Sequence, residues 1–241
     1  MGSIGAISAA AAFIFLGGKA QKLLVPILIA YATGTLLTAA LYGLIPEAIE
    51  GAGDEPHVIM LFVLGSILFF FFLEKIIIWR NCPDATCDVH AAAGPIVLIG
   101  DAFHNLTDGI VIAAAFLTDF TIGIAVSFAI IAHEIPQETG DIGILLNAGF
   151  SMRKSYLYNA VSSTTTIPAA IISYYILESV VVITPYILAI SAASFLYIAL
   201  SDLTPELHQR LGLKHSIRQL IFILTGILTM LLIFSFTVHS H

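Results

Sequence analysis

Residues 94–117 hold the stretch Gly100-Asp101-Ala102-Phe103-His104-Asn105-Leu106-Thr107-Asp108-Gly109, with apolar sequence on both sides. Residues 121–148 repeat the arrangement around Ala132-His133-Glu134-Ile135-Pro136-Gln137-Glu138-Thr139-Gly140-Asp141. Each run is long enough to cross a hydrocarbon layer as a helix, which takes about 20 apolar residues. Each nevertheless carries carboxylates and an imidazole at its middle. The whole chain is 59% hydrophobic and 10% charged, with a mean hydropathy of +0.99. A soluble domain carries roughly 25% charged residues. A chain this apolar cannot clothe its outer surface in polar groups, so that surface faces lipid.

Reading outward from these two stretches, the same rule gives eight spans, at about 3–17, 23–46, 57–79, 94–117, 121–148, 155–177, 183–206 and 215–237. The expected fold is an all-α membrane protein with one transmembrane domain over residues 1–241. The nine basic residues provide a check. Lys19 and Lys22 fall in the first connection, Lys75 and Arg80 at the third, Arg153 and Lys154 at the fifth, and Arg210, Lys214 and Arg218 at the seventh. All lie at odd-numbered connections. The positive-inside rule then puts those connections in the cytoplasm and both termini outside. The second connection, with Glu47, Glu50, Asp54 and Glu55, is acidic and falls outside. The net charge of -7 leaves no basic surface for nucleic acid. The first stretch lacks the basic start of a cleavable signal, and two cysteines make no disulfide framework.

A weaker pattern links the second and seventh spans. Tyr42-Gly43-Leu44-Ile45-Pro46-Glu47 ends one, and Ser201-Asp202-Leu203-Thr204-Pro205-Glu206 ends the other. The two spans run in opposite directions, as in an inverted 3+2+3 arrangement around the fourth and fifth. Chance alone could also leave two Pro-Glu helix ends.

An ionised carboxylate at mid-membrane costs roughly 2.5–3.5 kcal/mol. Asp101, Asp108, Glu134, Glu138 and Asp141 together would cost about 10 kcal/mol or more if nothing compensated them. Neither stretch contains a Lys or Arg to pair with them. His104 and Asp108 are four residues apart and share a helix face, about 6 Å from each other. His133 and Gln137 repeat that spacing, and Asn105, Glu134 and Glu138 stand one position round. Two such faces can close around one or two metal ions. Imidazole with carboxylate suits zinc, iron(II) or manganese better than calcium or magnesium. Thr107, Thr139 and Ser127 are better read as interhelical hydrogen-bonding groups.

At these residues the sequence resembles the ZIP (Zrt-, Irt-like) family of divalent metal transporters. His104-Asn105-Leu106-Thr107-Asp108-Gly109 is similar to its HNxxDG pattern. His133-Glu134-Ile135-Pro136-Gln137-Glu138-Thr139-Gly140-Asp141 is similar to the HExPxExGD pattern of its LIV-1-like branch. The resemblance implies eight helices with both termini outside, and inward movement of metal by alternating access. It implies a primary metal site of His104, Asp108, His133 and Gln137, with Asn105 and Glu134 in a neighbouring one. Four features depart from the pattern, the first being that the third connection lacks the long His-rich loop of many relatives. Gln137 stands where His is usual, Gly43 where relatives often have His, and Ser162, Ser163 and Thr164 where some bacterial members supply a carboxylate.

On this reading Glu138 is a further ligand, and Asp101 and Asp141 line the route of the ion. Cys82, Cys87 and His90, in the third connection, could hold metal on the cytoplasmic side. The cargo is expected to be zinc, with iron(II), manganese(II) and cadmium as alternatives. No prosthetic group and no enzymatic activity are expected. The location is a cell (inner) membrane, and a homodimer is compatible with the sequence. A metalloprotease would need a second His at position 137. A haem carrier would need room for a porphyrin beside the acids. A passive channel would use the same ligands without saturating.

Overall fold

The computed structural model describes residues 18–53, 56–81, 89–147, 149–178, 181–208 and 212–238. The expected first span, Cys82 and Cys87 lie outside the described residues. The described chain is helical throughout, with no strand among those residues. In order, α1 is Gly18–Thr38, followed by a π segment Ala39–Leu44 and α2, Ile45–Gly51. Then come α3 (Pro56–Asn81), α4 (Val89–Thr118), α5 (Phe120–Asn147), α6 (Met152–Ser163) and α7 (Thr166–Glu178). After a 3-10 turn at Val181–Ile183, α8 (Thr184–Tyr197) leads into a second π segment, Ile198–Leu203, and α9 (Thr204–His208). The chain ends in α10, Leu213–Val238.

Five stretches are long and apolar enough to cross a membrane: Leu23–Gly51, Pro56–Ile76, Met152–Leu177, Thr184–Ser201 and Leu213–Ser235. Phe120–Ile135 is a shorter apolar helix. The residues that face outward explain why lipid is required. Leu61, Leu64, Leu68, Phe69 and Phe72 on α3 are exposed, as are Leu220, Ile221, Leu224, Leu228 and Leu232 on α10. Leaving one such side chain in water forfeits about 1.5–3 kcal/mol. A surface made of them is stable only against hydrocarbon.

The sequence explains each irregular element. Pro46 and Pro205 have no amide hydrogen, so the regular ladder must break before each. The chain widens by one residue instead: Ile45 N–H donates to Ala40 O, and Thr204 N–H donates to Ala199 O. The Thr204 hydroxyl donates to the same Ala199 carbonyl at 2.7 Å. Ala39–Leu44 precedes Ile45-Pro46-Glu47 just as Ile198–Leu203 precedes Thr204-Pro205-Glu206. The sixth stretch is not one continuous helix. A turn at Thr164 and Thr165 separates α6 from α7. Pro168 again removes a donor, and Ile167 N–H takes the Thr164 carbonyl at 3.2 Å.

Packing sorts the helices into two groups. α4 lies against α5, α6 and α7. α1 lies against α10, and α3 against α8. A Cβ built on Gly34 would stand 2.2 Å from Ile223 O, and one on Gly226 would stand 2.4 Å from Tyr31 O, so only glycines allow α1 and α10 to cross this closely. The groups meet where α1 touches α5 and α8 touches α4. The core there is rich in alanine, with Ala39, Ala113, Ala114, Ala125, Ala129, Ala192 and Ala193 all buried.

Candidate metal centre

His104 and Asp108 stand one turn apart on α4, and His133 and Glu134 are neighbours on α5. Because α4 and α5 pack side by side, the four side chains converge. One ligand atom from each lies within 4.8 Å of all the others. His104 Nε2 is 3.0 Å from His133 Nε2, 3.6 Å from Asp108 Oδ2 and 3.7 Å from Glu134 Oε1. His133 Nε2 is 3.3 Å from Asp108 Oδ2 and 3.9 Å from Glu134 Oε1. Ligands held 2.0–2.1 Å from a tetrahedral zinc stand about 3.3 Å apart. These separations bracket that value.

Burial and hydrogen bonding give the cluster the chemistry of a cation site. The side chains of Asp108, His133 and Glu134 are each 1% exposed, and that of His104 is 16% exposed. His133 Nδ1 lies 3.1 Å from the carbonyl of Ala129, one turn back on α5. A carbonyl only accepts, so Nδ1 carries the proton and donates it. His133 Nε2 is then a bare lone pair, fixed toward the cluster as in a metal-binding imidazole. Asp108 Oδ2 and both carboxylate oxygens of Glu134 are buried without a hydrogen-bond partner. A single proton can bridge the two Nε2 atoms, but it cannot also satisfy two carboxylates. Each buried polar atom left this way costs about 1–3 kcal/mol, and more when charged. A divalent cation meets all four groups at once.

The other expected ligands lie in a neighbouring hydrogen-bonded cluster. Asn105 Nδ2 donates to Asp101 Oδ1 at 2.9 Å and to the Asp101 carbonyl at 3.1 Å. Its Oδ1 accepts from the Thr166 hydroxyl at 2.8 Å. Gln137 Nε2 also donates to Asp101 Oδ1, at 3.4 Å. Glu138 accepts from Asn159 Nδ2 and from the Ser163 hydroxyl, and Asp101 Oδ2 accepts from the Ser162 hydroxyl. Asp101 and Glu138 are therefore carboxylates already supplied with donors, unlike Asp108 and Glu134. Asp141 is partly buried further along α5. His90 stands in the first turn of α4, away from the centre.

The sequence reading underweighted α6. Its Ser155, Asn159, Ser162 and Ser163, with Thr166 beginning α7, are all buried polar residues. The signal was present as polar side chains at helical spacing in a span that is otherwise apolar. Their partners on α4 and α5 are known only from the packing.

Comparison with known proteins agrees with the geometry. The family model described as ZIP Zinc transporter matches residues 80–234, which include all four converging side chains. The chain belongs to the ZIP family. Zinc transporter ZIP10 of Danio rerio is 37% identical over 151 residues, covering 60% of this chain and 18% of that protein. Human zinc transporter ZIP6 is 36% identical over 112 residues, 46% of this chain and 15% of that protein. Human zinc transporter ZIP4 is 38% identical over 115 residues, 46% of this chain and 17% of that protein. ZIP10 and ZIP6 represent the LIV-1 branch. The matches span less than a fifth of the length of these three relatives. This ZIP chain is thus a multi-pass membrane protein, with the family's motif residues gathered at the α4–α5 contact.

Proposed function

We propose that the protein carries zinc across the membrane toward the cytoplasm, by alternating access, through the centre formed by His104, Asp108, His133 and Glu134. One observation carries the reading. Two imidazoles and two carboxylates meet inside a lipid-facing protein, and Asp108 Oδ2 and both Glu134 carboxylate oxygens are buried there without a hydrogen-bond partner. Zinc accepts mixed nitrogen and oxygen ligands; iron(II), manganese(II) and cadmium are secondary cargoes of the same site. Asn105 and Gln137 border the centre as neutral side chains whose amide oxygens an ion can recruit, that of Asn105 by displacing the Thr166 hydroxyl. Glu138, Asp101 and Asp141 then line the route away from it. Cys82, Cys87 and His90 are proposed as a cytoplasmic metal-holding group.

The architecture proposed for this activity is one domain over residues 1–241 with eight spans in an inverted 3+2+3 arrangement. The matched π segments before Pro46 and Pro205 support pairing α1–α2 with α8–α9. The basic residues at alternate connections support cytoplasmic odd connections and external termini in a cell inner membrane. Alternating access would move the α4–α7 group against the α1, α3, α8 and α10 group. The alanine-rich contact between the groups suits sliding, because small side chains present few ridges. The reading is of a transporter and not of an enzyme, and a dimer is compatible with it.

Zinc uptake into liposomes carrying the purified protein tests this. Wild type should load zinc with saturating kinetics, and His104→Ala and His133→Ala should each lose uptake by at least tenfold. Unchanged uptake in both variants removes the site. Flux that never saturates, at rates faster than the microsecond-to-millisecond range of domain motions, favours a channel instead.

A further inference from the structure

α6 gives its hydrogen-bond donors to α4 and α5 and retains acceptors that nothing fills. Asn159 Nδ2 and the Ser163 hydroxyl both go to the Glu138 carboxylate, and Ser162 goes to Asp101. Asn159 Oδ1 and Ser155 Oγ are left buried with no hydrogen-bond partner. Asn159 is 2% exposed and Ser155 is 0% exposed. The two residues are four apart on α6, so they stand one turn from each other on one face. Five of the six buried side-chain atoms of this kind among the described residues belong to Asp108, Glu134, Asn159 and Ser155; the sixth is Thr184 Oγ1.

These atoms follow an order in space. From Glu134, one turn along α5 reaches Glu138. Glu138 is bonded to Asn159. One turn back along α6 from Asn159 reaches Ser155, beside Arg153 and Lys154 at the α5–α6 connection. Both steps lead toward the same end of the molecule. Along that line oxygen acceptors outnumber donors, and Arg153 and Lys154 are exposed rather than turned inward. Buried acceptors lacking donors are normally satisfied by water or a cation.

We infer that Glu138, Asn159 and Ser155 form a second station for a divalent cation, built from oxygen atoms alone, between the histidine centre and the Arg153–Lys154 turn. The inference rests on the transport reading and adds a step to it. Imidazole holds zinc well, so an ion on the histidine centre needs a weaker place to go. Carboxylate, amide and hydroxyl oxygens provide one, since conduction needs sites weak enough to leave. Asn159 can swing its free oxygen to the ion while Ser163 keeps Glu138 aligned.

The test uses the full chain in liposomes and in detergent, with zinc as the probe. Asn159→Leu keeps the branched shape and removes both the oxygen and the amide donor to Glu138. Its maximal uptake rate should fall roughly tenfold, the lower end of what outer-shell metal-site changes cost, while zinc bound per folded chain at equilibrium stays as in wild type. Ser155→Ala should slow uptake by a smaller factor. Asn159→Asp turns the station into a strong site and should bind one more zinc per chain than wild type while transporting more slowly. A merely structural role predicts none of that gain. Wild-type uptake by Asn159→Leu, loss of zinc from the histidine centre in that variant, or no added zinc in Asn159→Asp would each overturn the inference. Loss of uptake in His104→Ala beside normal uptake in Asn159→Leu rejects this station alone. Normal uptake in His104→Ala rejects the transport site beneath it.

Discussion

At the scale of single residues, what separates the acids of the histidine centre from the acids around it is whether their oxygens already hold donors. Asp101 and Glu138 receive amide and hydroxyl hydrogens; Asp108 Oδ2 and both Glu134 oxygens receive none. Glu134→Gln should therefore leave the metal-free protein at least as stable as wild type, because an amide of the same shape never has to bury a charge. The same change should abolish the stabilisation by zinc. In wild type, zinc at about a hundred times its dissociation constant adds about 2.7 kcal/mol, read as an upward shift in Tm. A Glu134→Gln protein that is less stable without metal yet equally stabilised by zinc would contradict the assignment. Acid should act in the same direction as this substitution. Protons compete with the cation for both imidazoles and both carboxylates. Zinc affinity should therefore fall steadily as the pH is lowered from 7.5 to 5.5. Affinity that rose over this interval would count against histidine ligation.

At the scale of elements, close crossings hold the ligand helices in register. A Cβ on Gly109, one residue beyond Asp108, would stand 2.4 Å from Thr166 O and 2.7 Å from Ala169 Cβ on α7. Ordinary helix propensity favours Gly→Ala by up to about 1 kcal/mol. At Gly109 the sign should reverse, since α4 must part from α7 to admit the methyl group. Gly65 on α3 has nothing within 4 Å of its built Cβ and serves as the control. Gly65→Ala should be neutral or stabilising, and Gly109→Ala should lower Tm and zinc uptake together. Equal effects at both positions would mean the α4–α7 contact does not support the centre. The sequence pattern showed where helices lie but not these crossings, because a glycine in an apolar run reads the same whether it meets lipid or a backbone. It likewise placed span ends at Pro46-Glu47 and Pro205-Glu206, whereas helix continues past both as α2 and α9. That π segments precede both prolines depended on the carbonyls of Ala40 and Ala199 finding the next donor along.

At the scale of the whole molecule, the side-chain hydrogen bonds of the centre stay within α4, α5, α6 and α7, while Tyr197 of α8 bonds Glu74 of α3 within the other group. One contact that bridges the groups beside the centre is aromatic, the Phe195 ring 5.8 Å from that of His133. An apolar, small-residue boundary beside a polar, cross-linked centre favours movement of one group as a body. Uptake should then saturate with zinc and show the steep temperature dependence of a conformational step. A channel would give shallow temperature dependence and no saturation.

Composition, the run of apolar spans and the motif residues determined that this is a membrane protein with imidazoles and carboxylates on two neighbouring apolar helices. Those properties follow from periodicity and from the cost of burying charge, both local to the sequence. Tertiary structure decided which of these side chains converge. Glu134 joined His104, Asp108 and His133, whereas Asn105 and Gln137 turned to Asp101, because the azimuth of α5 against α4 depends on side chains of α6 and α7 far away in the chain. Spacing within one helix fixes a face, but only packing against other helices fixes what that face meets.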